Sequence, residues 1–135
     1  MPIAGMALSV PDGAITDDKL AHPVSRITLL DRHTGLYDSY SDPSVIDGNW
    51  HDVDTSGKIP SSAQAVIVQV GLTSSTTGRV HVGPGGEHQG DYLSVTAHQS
   101  WDFTQGIVKV KNGSISFTSG TSVDRFWITM IGYIE

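Results

Sequence analysis

Cysteine is absent from the 135-residue chain, and no other metal-site signature takes its place. Without thiols, a disulfide framework and a zinc site built on thiolates are both excluded. The six histidines form no His-x-His pair and no His-Glu-x-x-His motif. The carboxylate-rich segment Asp47–Asp54 is followed by Lys58 where a calcium loop has its final Glu, which leaves only an irregular calcium site as an alternative. We therefore predict no metal and no cofactor.

Basic side chains are also scarce. Lysine and arginine together number 8 against 14 aspartates and glutamates, so the formal net charge is −6. A charge of this sign repels the phosphate backbone of nucleic acids and the surface of anionic membranes. Neither nucleic acid nor a membrane is expected as a partner.

Long apolar segments are missing as well. No apolar run approaches the roughly 20 residues that a membrane-spanning helix needs. The first residues lack the basic start and the long apolar stretch of a signal peptide, so we expect no secretion signal.

Catalytic motifs are absent too. There is no Gly-x-Ser-x-Gly elbow for a serine nucleophile. The glycine-rich run Gly83–Gly86 is not followed by the Gly-Lys-Ser/Thr of a phosphate-binding loop, and it fits a sharp corner between strands. The paired carboxylates of a glycosidase have no fixed sequence spacing, so that alternative stays open. Our prediction is a protein without enzymatic activity.

Strand signals dominate what is present, since 15 glycines and many serines and threonines argue against a helical fold. The segment Ala65–Val68 is apolar at every position and mostly β-branched, which predicts a central strand with two apolar faces. The turn-forming run TSSTTG at 73–78 predicts a loop, and Arg79–Val82 predicts the returning strand of a hairpin.

Asn112 and Gly113 supply the positive φ angles of a type I′ turn between two further alternating strands. The segment Arg125–Ile134 predicts a last strand that is again apolar on both faces. A turn is expected at Asp31–Gly35, and an exposed loop at Tyr37–Gly48. The remaining predicted strands are Arg26–Leu30, Trp50–Asp54, Asp91–Thr96 and Ser100–Phe103.

Together these strands predict an all-β fold, a jelly-roll-like β-sandwich over residues 24–135. Residues 1–23 are instead broken by prolines and glycines and predict an extended N-terminal arm, because such a segment forms no element by itself. We expect the arm to dock on a neighbouring subunit through its apolar side chains. These are Ile3, Met6, Leu8, Val10, Ile15 and Leu20.

Two resemblances to known groups of proteins indicate where the protein functions. The segment DGAITDDKLA resembles short segments of bacteriophage tail-fibre and other virion appendage proteins. The body resembles a β-sandwich module repeated in secreted, cell-wall-associated proteins of actinobacteria, through RITLLDRHTG, KIPSSAQAVIVQVGLT, GRVHVGPGG, IVKVKNGSISF and ITMIGY. The chain departs from that module at Asp31-Arg32-His33, where the module has Asp-Thr-Arg, and at Thr129-Met130, where an acidic residue is usual. The module brings no catalytic residues, and the two resemblances together imply a virion protein of a phage.

The leading functional prediction is a phage structural protein, a capsid decoration protein that forms a homotrimer and binds the major capsid or tail protein. Strands that are apolar on both faces need a cover on their outer side, and a second subunit is the simplest one. The residues predicted for this subunit interface are Val66, Val68, Trp127, Ile131 and Tyr133.

The alternative prediction is a tail-fibre or tail-tip module that binds carbohydrate on the host surface. Aromatic side chains can stack on sugar rings, although they also serve as core residues and as subunit contacts. The residues predicted to contact a glycan are Tyr37, Tyr40, Trp50, Tyr92 and Trp101.

Overall fold

The computed structural model describes residues 26–86 and 92–135, and in these ranges the chain is all-β, as predicted. One 3-10 turn, Pro43–Val45, interrupts the strands, and no α-helix occurs in these ranges. The predicted arm anchors Ile3, Met6, Leu8, Val10, Ile15 and Leu20 lie outside the described residues. The strands are β1 (Ile27–Asp38), β2 (Trp50–Asp54), β3 (Ala65–Pro84), β4 (Leu93–Lys109), β5 (Ser114–Ser119) and β6 (Arg125–Ile134).

All strands pair antiparallel in one curled sheet of order β1-β6-β3-β5-β2, with β4 on the other side of β3. The long strand β3 organises this sheet. Its first half pairs with β6 and its last residues pair with β5, while β4 follows it along almost its whole length. Strands β3 and β4 therefore run through both halves of the sheet. A Cβ added to Gly106 would collide with the side chain of Leu93, so the two ends of β4 lie close together.

The predicted hairpin at 65–82 is wrong, because the run at 73–78 continues β3 as a strand. It pairs with β4 on both sides of a register shift between Ser74 and Thr77, and Gln99 on β4 has φ 52° nearby. Threonine and serine suit a strand as well as a turn when a partner strand supplies the hydrogen bonds. The lack of bulky side chains here allows a bulge and a bend. The two short strands predicted between residues 91 and 103 are likewise parts of the single strand β4.

The first strand is also longer than predicted. Instead of a short strand and a turn, β1 runs without a break through the expected turn at Asp31–Gly35 and ends at Asp38. The rest of the predicted loop, residues 39–48, lies outside the strands, as expected. Its pairing with β6 shifts register between Leu29 and Thr34 and again between Gly35 and Tyr37. The polar segment therefore forms bulges in a paired strand and not a connection between strands.

Three local predictions are confirmed. The strands at Trp50–Asp54 and Arg125–Ile134 have the predicted bounds. Asn112 and Gly113 have φ of 52° and 74°, and Lys111 and Ser114 exchange backbone hydrogen bonds across the turn. After this turn β4 and β5 separate, because β4 pairs with β3 while β5 pairs with β2 and with the end of β3.

The core lies inside the curl of the sheet. Alternate residues of the apolar segments in β3 and β6 face inward, and on β6 these are Phe126, Ile128 and Met130. Tyr37, Phe117 and Phe126 form an aromatic cluster with ring centroids 4.8–5.8 Å apart, which joins β1, β5 and β6. The other large, fully buried apolar side chains are Val66, Val68, Val70, Leu72, Val80, Val82 and Ile115.

Candidate functional site

An apolar row crosses the outer face of the sheet. Leu29, Gly132, Ile67 and Ile107 are register partners on β1, β6, β3 and β4. A Cβ on Gly132 would lie 3.2 Å from Leu29 Cδ2 and 3.4 Å from Ile67 Cδ1, so these two side chains meet above the glycine. Leu29 is 70% exposed and Ile107 is 61% exposed. The row is thus a continuous apolar strip that faces solvent.

Aromatic side chains extend this face along β4 and β6. Trp101 and Phe103 point the same way from β4, with their rings stacked at a centroid distance of 5.8 Å. The ring of Trp127 covers Gly71, the register partner of both Trp127 and Phe103. We name the whole surface the outer patch. It consists of Leu29, Ile67, Trp101, Phe103, Ile107 and Trp127.

The outer patch borders an open strand edge. In the part of the chain that the structure describes, β4 pairs with β3 alone, so the other edge of Leu93–Lys109 has no strand beside it. Unpaired backbone groups along such an edge can pair with a strand from another chain. An apolar face and an open edge therefore meet along the same strand.

An ion pair lies at the rim of the outer patch. Arg125 donates from Nε to Asp38 Oδ1 at 3.0 Å and from Nη2 to Asp38 Oδ2 at 2.6 Å. These hydrogen bonds hold the pKa of Asp38 below its usual value. The Arg125 guanidinium also lies 5.1 Å from the ring centroid of Tyr40 and 5.8 Å from that of Trp127. The charge at this rim is therefore paired locally, with two aromatic rings beside the guanidinium.

A second surface feature is a cleft on the other half of the sheet. Trp50, Thr118 and His81 are register partners on β2, β5 and β3. The ring of Tyr92 lies 6.1 Å from that of Trp50 and 4.7 Å from that of His81, with interplanar angles of 62° and 64°. We name this the Trp50 cleft. It is lined by Gly48, Trp50, Arg79, His81, Tyr92, Thr118 and Gly120.

Two side chains determine the charge of the Trp50 cleft. Burial lowers the pKa of His81, and the positive charge of Arg79 lowers it further, so the imidazole is neutral at neutral pH. Arg79 donates from Nε to Thr96 Oγ1 at 3.2 Å, which fixes its position beside the cleft. No carboxylate lines the cleft among the described residues. Arg79 thus gives this surface a local positive charge in an acidic protein.

The predicted glycan residues do not form one site. Trp50 and Tyr92 share the cleft, whereas Tyr40 lies beside Arg125 and Trp101 lies in the outer patch. Tyr37 packs its ring on the core, and its hydroxyl is buried without a hydrogen-bond partner in the described part of the chain. Burial also raises the pKa of Tyr37. The expectation of an exposed Tyr37 is therefore wrong.

The predicted interface residues divide between the two faces. Val66 and Val68 are fully buried in the core, so the outward side chain of that segment is Ile67. Trp127 lies on the outer face, and Ile131 is half-buried where β6 shifts register against β3. Tyr133 packs against the core. Leu29, Phe103 and Ile107 also belong to the outer patch, although the sequence analysis did not predict them as interface residues. Phe103 and Ile107 lie an even number of residues from Trp101, so all three face the same side of β4.

The carboxylates of the segment suggested as an irregular calcium site bind other protein groups. Asp47 Oδ1 lies 2.9 Å from His51 Nε2, and this hydrogen bond lowers the pKa of Asp47. Asp52 accepts a hydrogen bond from the backbone of Gly86 at 3.0 Å, and Asp54 accepts from the backbone of Ser56 at 2.8 Å. Within the two described ranges, no three His, Asp or Glu side chains come together as a metal site.

No helix in the described residues is long and apolar enough to cross a membrane. Comparisons with protein families, with curated proteins and with solved structures found nothing similar to the chain. The outer patch and the Trp50 cleft are therefore the two features of the molecule that indicate a function.

Proposed function

We propose that the chain is a non-enzymatic structural protein of a bacteriophage virion, a capsid decoration protein that assembles as a homotrimer through its outer patch. The observation that carries this proposal is the outer patch itself, an exposed apolar and aromatic surface spread over four strands. In this proposal the curled sheet forms the two layers of a jelly-roll-like β-sandwich, and β3 and β4 pass from one layer to the other. The N-terminal arm attaches the assembly to the major capsid or tail protein.

The composition of the outer patch supports a protein partner. Contiguous apolar surfaces of this kind are uncommon on proteins that stay monomeric and mark interaction sites. Tryptophan and arginine dominate the binding energy of protein interfaces, and both occur here, in Trp101, Trp127 and Arg125. Between the apolar row and the aromatic rings lie the uncharged residues Gln69 and Gln105. A partner therefore meets no unpaired charge in the middle of the patch.

A second copy of the chain is the partner that we favour. A neighbour that carries the same patch covers this apolar surface and exposes no new one. The open edge of β4 runs beside the patch, so a copy docked there can also satisfy its backbone groups. A closed symmetric assembly covers every patch and every β4 edge at once, and of the closed assemblies we propose the trimer, in which the patch of each copy docks on its neighbour.

Replacing Ile107 by aspartate tests this assembly. Burial of an unpaired charge in an apolar interface costs about 3 kcal/mol or more, so the variant should associate roughly 100-fold more weakly. Sedimentation velocity at micromolar concentration should show a trimer for the unchanged chain and a monomer for Ile107→Asp. Asn112→Asp is the control, because Asn112 is exposed in the turn after β4, outside the patch and the β4 edge. A stable monomer of the unchanged chain would refute the assembly.

Removal of the arm tests the attachment. A chain that begins at Val24 should keep its strand-type circular dichroism, because the described core lies between Leu36 and Met130. It should lose binding to particles stripped of the protein, since the arm carries the predicted apolar anchors. Ordering an arm costs about 1–2 kcal/mol per residue, so many contacts must share the binding energy. Co-sedimentation of the truncated chain at the level of the full chain would show that attachment lies elsewhere.

Binding of host-surface carbohydrate, as by a tail-fibre or tail-tip module, is a second candidate function. The observation that favours it is the Trp50 cleft, which brings together two of the predicted glycan residues, Trp50 and Tyr92. Copy number separates the two candidates, because a decoration protein is present in many more copies per particle than a receptor-binding module. Protein quantification of the purified particle measures this directly.

A further inference from the structure

We propose that the Trp50 cleft binds an acidic saccharide, a sugar ring that carries a carboxylate, with the ring against Trp50 and Tyr92 and the carboxylate at Arg79. This inference rests on the second candidate function, which it narrows to one class of ligand. It does not depend on the assembly proposed for the outer patch, since the two surfaces share no residue.

The aromatic walls suit a sugar ring. Trp50, Tyr92 and His81 meet at steep angles of 62° and 64°, so the rings do not cover one another as a stack would. Tyr92 is 48% exposed, which leaves much of its surface open to a ligand. The C–H groups of a pyranose pack well on an aromatic face of this kind. Thr118 lies between Trp50 and His81 on the neighbouring strand, where its hydroxyl can bond the hydroxyl groups of a sugar.

The charge of the cleft selects an acidic ligand. Arg79 lines the cleft, and in the described part of the chain its guanidinium makes one hydrogen bond, to Thr96. The other N–H groups of a guanidinium form a rigid fork that matches a carboxylate. His81 adds no charge at neutral pH, and no Asp or Glu among the described residues lines the cleft to repel an anion. A neutral sugar has no group that could form an ion pair with Arg79.

The test compares two sugars that differ only in the acidic group, methyl glucuronide and methyl glucoside, titrated into the full chain and followed by NMR. The glucuronide should bind about tenfold more tightly, because it alone forms charge-assisted hydrogen bonds with Arg79. Arg79→Gln should remove this preference, so that the glucuronide binds no more tightly than the glucoside. Trp50→Ala should weaken binding of both sugars at least tenfold.

Two further variants control for misfolding and for the position of the binding site. Tyr92→Ala should repeat the loss seen in Trp50→Ala, so the test survives if one variant fails to fold. Tyr40→Ala removes an exposed aromatic ring that belongs neither to the cleft nor to the outer patch, and it should change neither affinity. Equal binding of both sugars, lost in Trp50→Ala, would overturn the acidic specificity while carbohydrate binding stands. Absence of binding by either sugar, or binding that survives both Trp50→Ala and Tyr92→Ala, would overturn both.

Discussion

Replacement of Phe117 by alanine is expected to lower the free energy of unfolding by about 3–5 kcal/mol. Phe117 is 1% exposed, and its ring centroid lies 4.8 Å from that of Tyr37 and 4.9 Å from that of Phe126. Its ring centroid also lies 5.5 Å from that of His51 on β2, at the end of the strand order opposite to β1. One side chain thus joins β1, β2 and β6, so its removal leaves a cavity where the two halves of the sheet meet.

Urea denaturation of the unchanged chain and the variant measures this loss. Tyr40→Ala is the control, because it also deletes an aromatic ring but from a side chain that is 80% exposed. Its contact with Arg125 contributes about 1 kcal/mol or less at an exposed site. Both variants should be measured at one protein concentration, since subunit association adds to apparent stability. Equal losses in the two variants would show that the Phe117 cluster does not hold the sheet together.

Local signals in the sequence were sufficient for part of the fold. Asn112-Gly113 defines its turn because few other residues tolerate two successive positive φ angles. The last strand was predicted with its correct bounds, since apolar residues occupy both of its faces along almost its whole length. The overall all-β class followed from the strand signals of the other segments and from the scarcity of helix formers.

Pairing between strands that are distant in the sequence determines the features of β3 that local signals could not predict. The run at 73–78 has the composition of a loop, yet β4 pairs beside it and continues it as a strand. Likewise, Ala65–Val68 is apolar on both faces, so its sequence does not tell which face enters the core. The structure buries Val66 and Val68 and turns Ile67 outward. The choice depends on β5 and β6, which follow much later in the chain.

Some residues of the candidate sites could be predicted from the sequence, but not which of them lie together. Trp50 and Tyr92 were predicted as possible glycan contacts, and the structure places their rings 6.1 Å apart. They come together because β5 pairs with both β2 and β3, while Leu93, the residue after Tyr92, pairs with Val82 on the other side of β3. Arg79 and His81 enter the same cleft through this pairing, and no spacing in the sequence indicates it. A further long-range contact of this kind joins β3 and β6, where the ring of Trp127 covers Gly71.

Replacement of Gly71 by alanine is expected to lower the free energy of unfolding by about 1–3 kcal/mol, the usual cost of overpacking. A Cβ at this position would lie 2.6 Å from Trp127 Nε1 and closer still to two ring carbons. The indole must therefore move, and it would lose its place beside Arg125. Gly35→Ala is the matched control, because Gly35 also lies in a strand but has nothing within 4 Å of the added Cβ.

Urea denaturation should show the loss for Gly71→Ala, while Gly35→Ala stays unchanged or gains up to about 1 kcal/mol from the stiffer unfolded chain. A double-mutant cycle then identifies the cause. If the collision with the indole is responsible, Gly71→Ala should cost little once Trp127 is replaced by alanine, because the added methyl group then occupies the space that the ring has left. A cost that persists without the ring would place the strain in the backbone of β3. The outer patch would then keep its aromatic surface whatever residue stands at position 71.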